Sequence, residues 1–376
     1  MFLSILIPCL NEEETVGVVI KNAQEALNLS GLFGEIIVID NGSTDKSASI
    51  AKSLGAVTLN VSEIGYGSAL KSGINECKGE FAIMLDADAS YSLDDMGVFV
   101  STLNEGYDLV IGNRFSGGIS PGAMPLLHRY LGNPILSWLG RLLFKTPIGD
   151  FHCGLRAFRT DAIRKLNLKS TGMEFASEMI VKASLNGLKI AEVPTTLKPD
   201  GRSRAPHLRT WRDGWRHLIF LLTASPRFLF LYPGITLSVA GLIGFLLTFS
   251  GVFEVFNLLL SSNTYLLSIG LTLAGLQLIM MAIVARIYSI NLGNLPKGQS
   301  VARFLSHFTL ERGIVLGLFL ITIGIAGFTI LFLNWNGAGF DSFSSTESLR
   351  MSGAIMLATL SGIQILFASF FASMIQ

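Results

Sequence analysis

Four apolar runs dominate the C-terminal part of this chain, near residues 228–252, 264–285, 314–334 and 352–374. Each reaches the roughly 20 residues that a helix needs to cross the hydrocarbon core of a bilayer. Backbone polar groups in lipid must be satisfied internally, so runs of this length read as spanning helices. The loop 286–313 carries Arg286, Lys297, Arg303 and Arg312 against Glu311, whereas the loops 253–263 and 335–351 hold Glu254, Asp341, Glu347 and a single basic residue, Arg350. The bias of Lys and Arg toward cytoplasmic loops places 286–313 in the cytoplasm, and four crossings then place both termini there. Tyr232, Tyr265, Tyr288 and Trp335 fall near the span ends, as interfacial anchors do. Gln277 and Gln364 lie inside spans and are expected to bond between helices.

The preceding residues read differently. Charged residues make up 15% of the whole chain, below the roughly 25% of soluble domains, but residues 1–225 read as a soluble α/β protein long enough to bury its own core. Short apolar stretches at Phe2–Ile7, Glu35–Ile39, Ala56–Asn60, Phe81–Leu85, Leu109–Ile111 and Lys189–Val193 alternate with helical patterns at about 12–28, 44–54, 66–77, 92–104 and 174–187. Strands that are apolar throughout argue for a mostly parallel sheet covered on both faces. Segment 112–160 is less regular, with a helix expected over about Arg129–Leu143. The division expected is a catalytic domain over 1–206, an amphipathic interfacial region over 207–227 and a four-helix membrane domain over 228–376. Trp211, Arg212, Trp215 and Arg216 give the middle region its amphipathic character.

Net charge is +1, which excludes a bulk electrostatic case for a nucleic-acid partner. Cys9, Cys77 and Cys153 have neither disulfide-framework nor zinc spacing and read as thiols in a reducing cytosol. No secretory signal is read, because Phe2–Ile7 is too short and lacks a basic flank. His128, His152, His207, His217 and His307 show no ligand spacing and are assigned to surface or packing. Glu174 and Glu178, one helical turn apart, suit helix support and sugar contact equally.

In folds of this kind ligands bind at the carboxyl ends of the strands, and the polar residues collect there: Asn11–Glu13, Asp40–Ser43 and Asp86–Ser90. Asp86 and Asp88, flanking Ala87 after an apolar strand, can hold a divalent cation against a diphosphate, since Mg²⁺ and Mn²⁺ prefer hard oxygen ligands. Asp45 is read as a helix N-cap. Gly65, Gly67 and Gly73 permit close backbone approach.

Taken in order, PCLNEEETV, IVIDNGSTDKS, GYGSALKSGI and LDADAS resemble the inverting family 2 glycosyltransferases of GT-A fold, and more narrowly the dolichyl- and polyprenyl-phosphate mannosyl- and glucosyltransferases. IGNRF, GDFHCGLRAFR, EVPTTL and DGRSR extend the match over about residues 1–227. The resemblance implies a GT-A catalytic domain followed by membrane helices. It implies transfer of a hexose from UDP-glucose or GDP-mannose to a polyprenyl phosphate, with Mg²⁺ or Mn²⁺ as cofactor, a membrane lipid environment and room for a homo-oligomer. Pro8, Asn11, Glu12, Asp40, Gly67 and Asp86 would bind the nucleotide. Asp86 and Asp88 would hold the metal, and Asp88, Arg114 and Asp150 would form the catalytic group. Arg129, Arg202, Ser203 and Arg204 would grip the acceptor phosphate. Asn41, where many relatives have a second Asp, and Ala89-Ser90, where mannosyl relatives often carry Leu-Gln, leave base and sugar open. The processive QxxRW signature is absent. A lipid alcohol such as diacylglycerol would need a base and no basic loop, and a scaffold or flippase with a decayed head would not need the aspartate pair.

Overall fold

The computed structural model describes residues 2–204, 210–251, 253–255, 258–296, 309–340 and 345–375. The chain divides into two compact units, Met1–Thr223 and Ala224–Gln376. His207, Lys297, Arg303, His307 and Asp341, which figure in the sequence reading, lie outside the described residues.

The first unit is built on a seven-stranded sheet. Its strands are β1 (Phe2–Cys9), β2 (Phe33–Asp40), β3 (Val57–Asn60), β4 (Phe81–Met84), β5 (Leu109–Asn113), β6 (Arg156–Arg159) and β7 (Ile190–Pro194), in the order β3-β2-β1-β4-β6-β5-β7. Strands β1 to β4 pair in parallel, and Cys9 of β1 lies opposite Asp40 of β2. Leu3, Ile5, Leu6 and Ile7 are fully buried, because helices cover both faces of the central strand. Each such side chain contributes about 1.5–3 kcal/mol of hydrophobic stabilisation. The covering helices include α1 (Val16–Ser30), α2 (Ser47–Ser53), α3 (Tyr66–Glu76) and α4 (Met96–Asn104). A single turn, α5 (Arg114–Gly117), follows β5 directly, and Asn113 caps it by accepting from the N–H groups of Phe115 and Ser116.

Strand β6 departs from the sequence reading. It runs antiparallel between β4 and β5 in a segment expected to be irregular. Its sequence, RAFR, carries no apolar run, yet Arg156 is 0% exposed. The Arg156 guanidinium is satisfied without a carboxylate, donating to the carbonyls of Cys153 (2.9 Å), Ala176 (2.6 Å) and Phe151 (2.9 Å). The expected 129–143 helix is α6 (Asn133–Phe144), entered through a π-helical turn over His128–Gly132. Helices α7 (Thr160–Lys165), α8 (Phe175–Leu185) and α9 (Thr210–Thr223) follow in the same unit.

The second unit holds α10 (Tyr232–Phe249), α11 (Ser262–Asn291), α12 (Leu310–Gly337) and α13 (Ser345–Ile375). With the π turn Arg227–Leu231 leading into α10, these give four helices long and apolar enough to cross a membrane. A small antiparallel hairpin, β8 (Phe253–Val255) with β9 (Leu258–Leu260), forms the connection between the first two. Helix contacts are made through small residues: a Cβ on Gly241 would meet the Thr272 backbone, and one on Gly324 would meet the Thr359 side chain. Small residues let helix backbones approach where lipid supplies no hydrophobic drive. Tyr265 is no interfacial anchor. It is fully buried and donates to the Arg350 carbonyl at 2.6 Å. Gln364 Oε1 is buried with no hydrogen-bond partner among the described residues, against the expected interhelical bond.

Candidate active site

The carboxyl ends of β1, β2 and β4 bring the predicted acidic residues together. The loop after β1 is laced to the loop after β2: Asn11 Oδ1 accepts from the Thr44 N–H (2.7 Å), and Ser47 Oγ accepts from the Glu12 N–H (2.7 Å). Asn11 takes a left-handed φ of 55°, a conformation Asn tolerates better than most residues. Asp45 is not the N-cap of α2, a position held by Lys46. Its carboxylate accepts from the N–H groups of Ser47 (2.9 Å) and Glu13 (3.1 Å) and so ties the two loops. Asp40, 8% exposed, accepts from the Ser43 N–H. Pro8 is part of β1, opposite Ile39.

Asp86 and Asp88 follow β4. Tyr66, the first residue of α3, donates its hydroxyl to Asp86 Oδ1 at 3.0 Å. Burial, and next the Asp88 carboxylate, push Asp86 up to about 6. Gly154 packs so tightly beneath that a Cβ there would lie 2.3 Å from Asp86 Oδ2. Between Asp88 and Ser90, Ala89 is held at φ 61°, a strained conformation for a residue with a Cβ. The Ser90 N–H donates to Asp88 Oδ1 at 3.0 Å. Gly67 makes its close approach to protein: a Cβ there would lie 2.2 Å from the Ser170 carbonyl, and its N–H donates to Thr171.

Arg202 and Arg204 reach back over these loops. The Arg202 guanidinium bonds Asp88 Oδ2 (2.8 Å), Glu12 Oε1 (3.0 Å) and Asp200 Oδ2 (3.0 Å). Arg204 bonds Glu12 Oε1 (2.7 Å) and the carbonyls of Leu10 and Asn11. Ser203 donates through its N–H and hydroxyl to Glu14. Glu12 is therefore held by two arginines.

Arg114 and Asp150 form a buried, bidentate ion pair, with Nε and Nη2 at 2.7 and 2.8 Å from the two carboxylate oxygens. The carboxylate also accepts from the Arg114 N–H, and Glu192 accepts from the Gly149 and Asp150 N–H groups. Asp150 is 0% exposed. Arg129 stands over the Tyr130 ring at 5.5 Å.

A cavity of about 740 Å³ joins these parts. Tyr66, Asp86, Asp88, Arg114 and Arg202 line it. Two helical segments also line it with apolar side chains, Leu127, Leu131, Ile135 and Leu136 on one and Trp211, Trp215 and Leu218 on the other, interspersed with His128, Asp213 and His217. Asp150, Arg129, Glu12 and Asp40 are not among its walls. The same two helical segments carry further exposed apolar side chains, Leu126, Tyr130 and Trp138 on one and Ile219 on the other, and Leu131, Ile135, Trp211 and Trp215 of the cavity lining are themselves exposed.

His128, His152 and His217 also line this cavity, though their spacing in sequence carries no signal. The rings of His152 and His217 meet edge to face at 4.6 Å. His217 Nδ1 lies 2.8 Å from Ser177 Oγ. Burial pushes His217 down to about 4, and burial with the nearby His217 and Arg114 holds His152 well below the usual histidine range. Glu178 has a structural place, accepting from the Lys169 and Ser170 N–H groups and pairing with Lys182 at 2.8 Å. Cys9, Cys77 and Cys153 are free and buried.

Among the described residues no group of three or more His, Cys, Asp or Glu side chains is arranged to hold a metal ion. The aspartate pair still fits a divalent cation that takes its other ligands from phosphates. A guanidinium among three carboxylates, Asp88 included, marks the same place as one that attracts a cation.

Residues 4–166 match the model of glycosyl transferase family 2, and residues 283–376 match the family 2 C-terminal transmembrane region. The hexosyltransferase Agl6 of low-salt glycan biosynthesis in Haloferax volcanii is 34% identical over 375 residues, covering 98% of this chain and 87% of the relative. The chain belongs to glycosyltransferase family 2. It is an enzyme of that family and a membrane protein. The dolichyl-phosphate hexose transferase of Haloferax volcanii is 28% identical over 193 residues, 51% of this chain and 81% of that one. A glucosyl-3-phosphoglycerate synthase from Mycobacterium tuberculosis, solved with Mn²⁺, UDP and phosphoglyceric acid, is 23% identical, with TM-score 0.45 over 54% of this chain and 72% of that one.

Proposed function

We propose that this family 2 glycosyltransferase moves a hexose from a nucleotide-sugar, UDP-glucose or GDP-mannose, onto a polyprenyl phosphate at the cytoplasmic membrane face. The observation that carries this reading is the mixed lining of one cavity, in which the carboxylates Asp86 and Asp88 and Arg114 meet the apolar side chains of Leu127, Leu131, Ile135, Trp211 and Trp215. A lipid with a charged head suits such a lining. The dolichyl-phosphate hexose transferase among the relatives supports the same acceptor class. The exposed apolar faces around Trp138 and Trp215 suit helices lying in the headgroup layer. The charge bias of loop 286–313 supports a cytoplasmic catalytic unit and cytoplasmic termini.

A phosphate monoester has a second pKa of about 6, so the acceptor is largely a dianion at neutral pH and needs little help from a base. This chain's task is then alignment and charge stabilisation. Arg114, aimed by the buried Asp150, presents its guanidinium to the cavity and orients the attacking phosphate. Asp86 and Asp88 would hold Mg²⁺ or Mn²⁺, which when bound neutralises the departing nucleoside diphosphate as a Lewis acid. Tyr66 and the strained Ala89 turn keep that pair in place. Asp40 and Asn11 stand on the loops where base and ribose would be received. Attack from the face opposite the leaving group inverts the anomeric carbon.

The test is transfer from radiolabelled nucleotide-sugars, with Mg²⁺ or Mn²⁺, to a panel of short polyprenyl phosphates, the matching polyprenols and diacylglycerol. Label is expected only in the phosphate lipids, and Asp88→Ala should abolish it while membrane insertion persists. Label in diacylglycerol or in a lipid-free polymer refutes the reading.

A further inference from the structure

The Arg202 side chain is 11% exposed and makes contacts of 3.0, 2.8 and 3.0 Å with the carboxylates of Glu12, Asp88 and Asp200. It sits in a strap joined to the site along its whole length. The Lys198 N–H donates to the Ser90 carbonyl, and the Gly201 N–H to the Asp88 carbonyl at 2.9 Å. Ser203 bonds Glu14, and Arg204 bonds Leu10, Asn11 and Glu12. A divalent cation at Asp88 Oδ2 would thus compete with Arg202 for the same carboxylate charge. The arrangement is also incomplete, because the buried Arg202 Nε has no hydrogen-bond partner among the described residues. A guanidinium with a spare buried donor is poised to take a better acceptor, and phosphate oxygens are the best match for its fork.

We infer that Arg202 is the resident cation of the donor site: it neutralises Glu12, Asp88 and Asp200 until a divalent cation arrives with the nucleotide-sugar and takes Asp88, and the released guanidinium then binds the acceptor phosphate. The acceptor half rests on the polyprenyl-phosphate reading above, whereas the competition for Asp88 does not. One arginine serves two sites in turn, so acceptor binding waits on donor binding. No bond is made or broken in this exchange.

Two measurements on the detergent-solubilised full chain test it. The first is Mn²⁺ binding without nucleotide, followed by the loss of the free-ion electron paramagnetic resonance signal. Freed from its competitor, Asp88 should bind Mn²⁺ about ten-fold more tightly in Arg202→Ala, the worth of one charge-assisted hydrogen bond. Arg202→Lys, which keeps the charge and loses the fork, should fall between. Unchanged or weaker Mn²⁺ binding in Arg202→Ala, with the melting temperature preserved, overturns the inference. The second is binding of a short polyprenyl phosphate, read from Trp211 and Trp215 fluorescence, with and without nucleoside diphosphate and Mn²⁺. The wild type should bind at least ten-fold more tightly with them, and Arg202→Ala should bind weakly and equally in both. Tight wild-type binding that ignores the nucleotide overturns the coupling while leaving the acceptor assignment standing. A wild type that prefers polyprenyl phosphate to polyprenol under neither condition refutes the acceptor, and the Mn²⁺ result still decides the role at Asp88.

Discussion

Replacing Asp150 by Asn separates two readings of the buried ion pair. Asp150 is fully buried and Arg114 is 8% exposed, and the carboxylate holds the guanidinium at 2.7 and 2.8 Å. Removing one partner of such a pair strands a charge away from water, at a cost of about 3–5 kcal/mol. Asn keeps the shape and one acceptor oxygen, so the lower end, about 3 kcal/mol, is expected. For a unit of this size that corresponds to a fall in melting temperature of about 6–12 °C. Arg114 also loses its aim, and misplacement by about 1 Å at a reacting centre can cost about a hundred-fold in rate. Purified Asp150→Asn should therefore melt lower and lose about a hundred-fold in kcat/KM, with a pH profile parallel to the wild type. Were Asp150 an obligatory base, activity would climb back as rising pH supplied the deprotonated acceptor. Such recovery, with melting unchanged, refutes the orienting role.

Two further outcomes follow from the packing around the cavity. His217 is held near 4 against an ordinary 6.5 by burial, so its neutral form contributes stability above about pH 6.5 that is lost as pH falls toward 4. The full loss is about 3 kcal/mol, and His217→Gln should flatten the fall in melting temperature over that window, whereas identical slopes count against the assignment. In Gly154→Ala the new methyl would lie 2.3 Å from Asp86 Oδ2. That overpacking should cost about 1–3 kcal/mol and most of the transfer activity, and an active, fully stable variant would show that Asp86 is not held by this contact.

What the sequence makes legible tracks how far each element is specified by its own residues. β1, β2 and β4 each carry a continuous apolar run, Ile5–Ile7, Ile36–Ile39 and Phe81–Met84, so their burial and the acidic loops at their ends can be read directly. β6 cannot, because RAFR earns its place through carbonyls supplied by residues 151, 153 and 176. Gly67 is legible only in part for a related reason: a glycine announces a close approach and not its partner, which on one side is the Ser170 carbonyl. The histidines of the cavity are scattered over positions 128, 152 and 217 and meet only through the fold. Arg202 is legible as a basic residue in DGRSR, but its three carboxylate partners lie as far as 190 residues away.

The charge balance at the donor mouth bears on why a divalent ion should be needed at all. Glu12, Asp88 and Asp200 crowd one guanidinium, and Arg204 adds a second cation against Glu12 alone. A diphosphate entering without a metal would meet this acidic wall with Arg202 still engaged, and like charges this close in a partly desolvated site repel strongly. A divalent ion held by Asp86 and Asp88 would reverse the sign of that encounter. It would bring twice the charge of the arginine and leave a surplus to attract the diphosphate. The freed arginine would then be the cation nearest a second anion. On this account the metal and the strap arginine compete for a carboxylate in order to cooperate on two phosphates, and neither substrate can be bound well while the other's cation is misplaced. Apolar side chains in the same cavity as that exchange give it a purpose, because a lipid-phosphate acceptor would bring its own negative charge and would need a cation there only once the donor is in place.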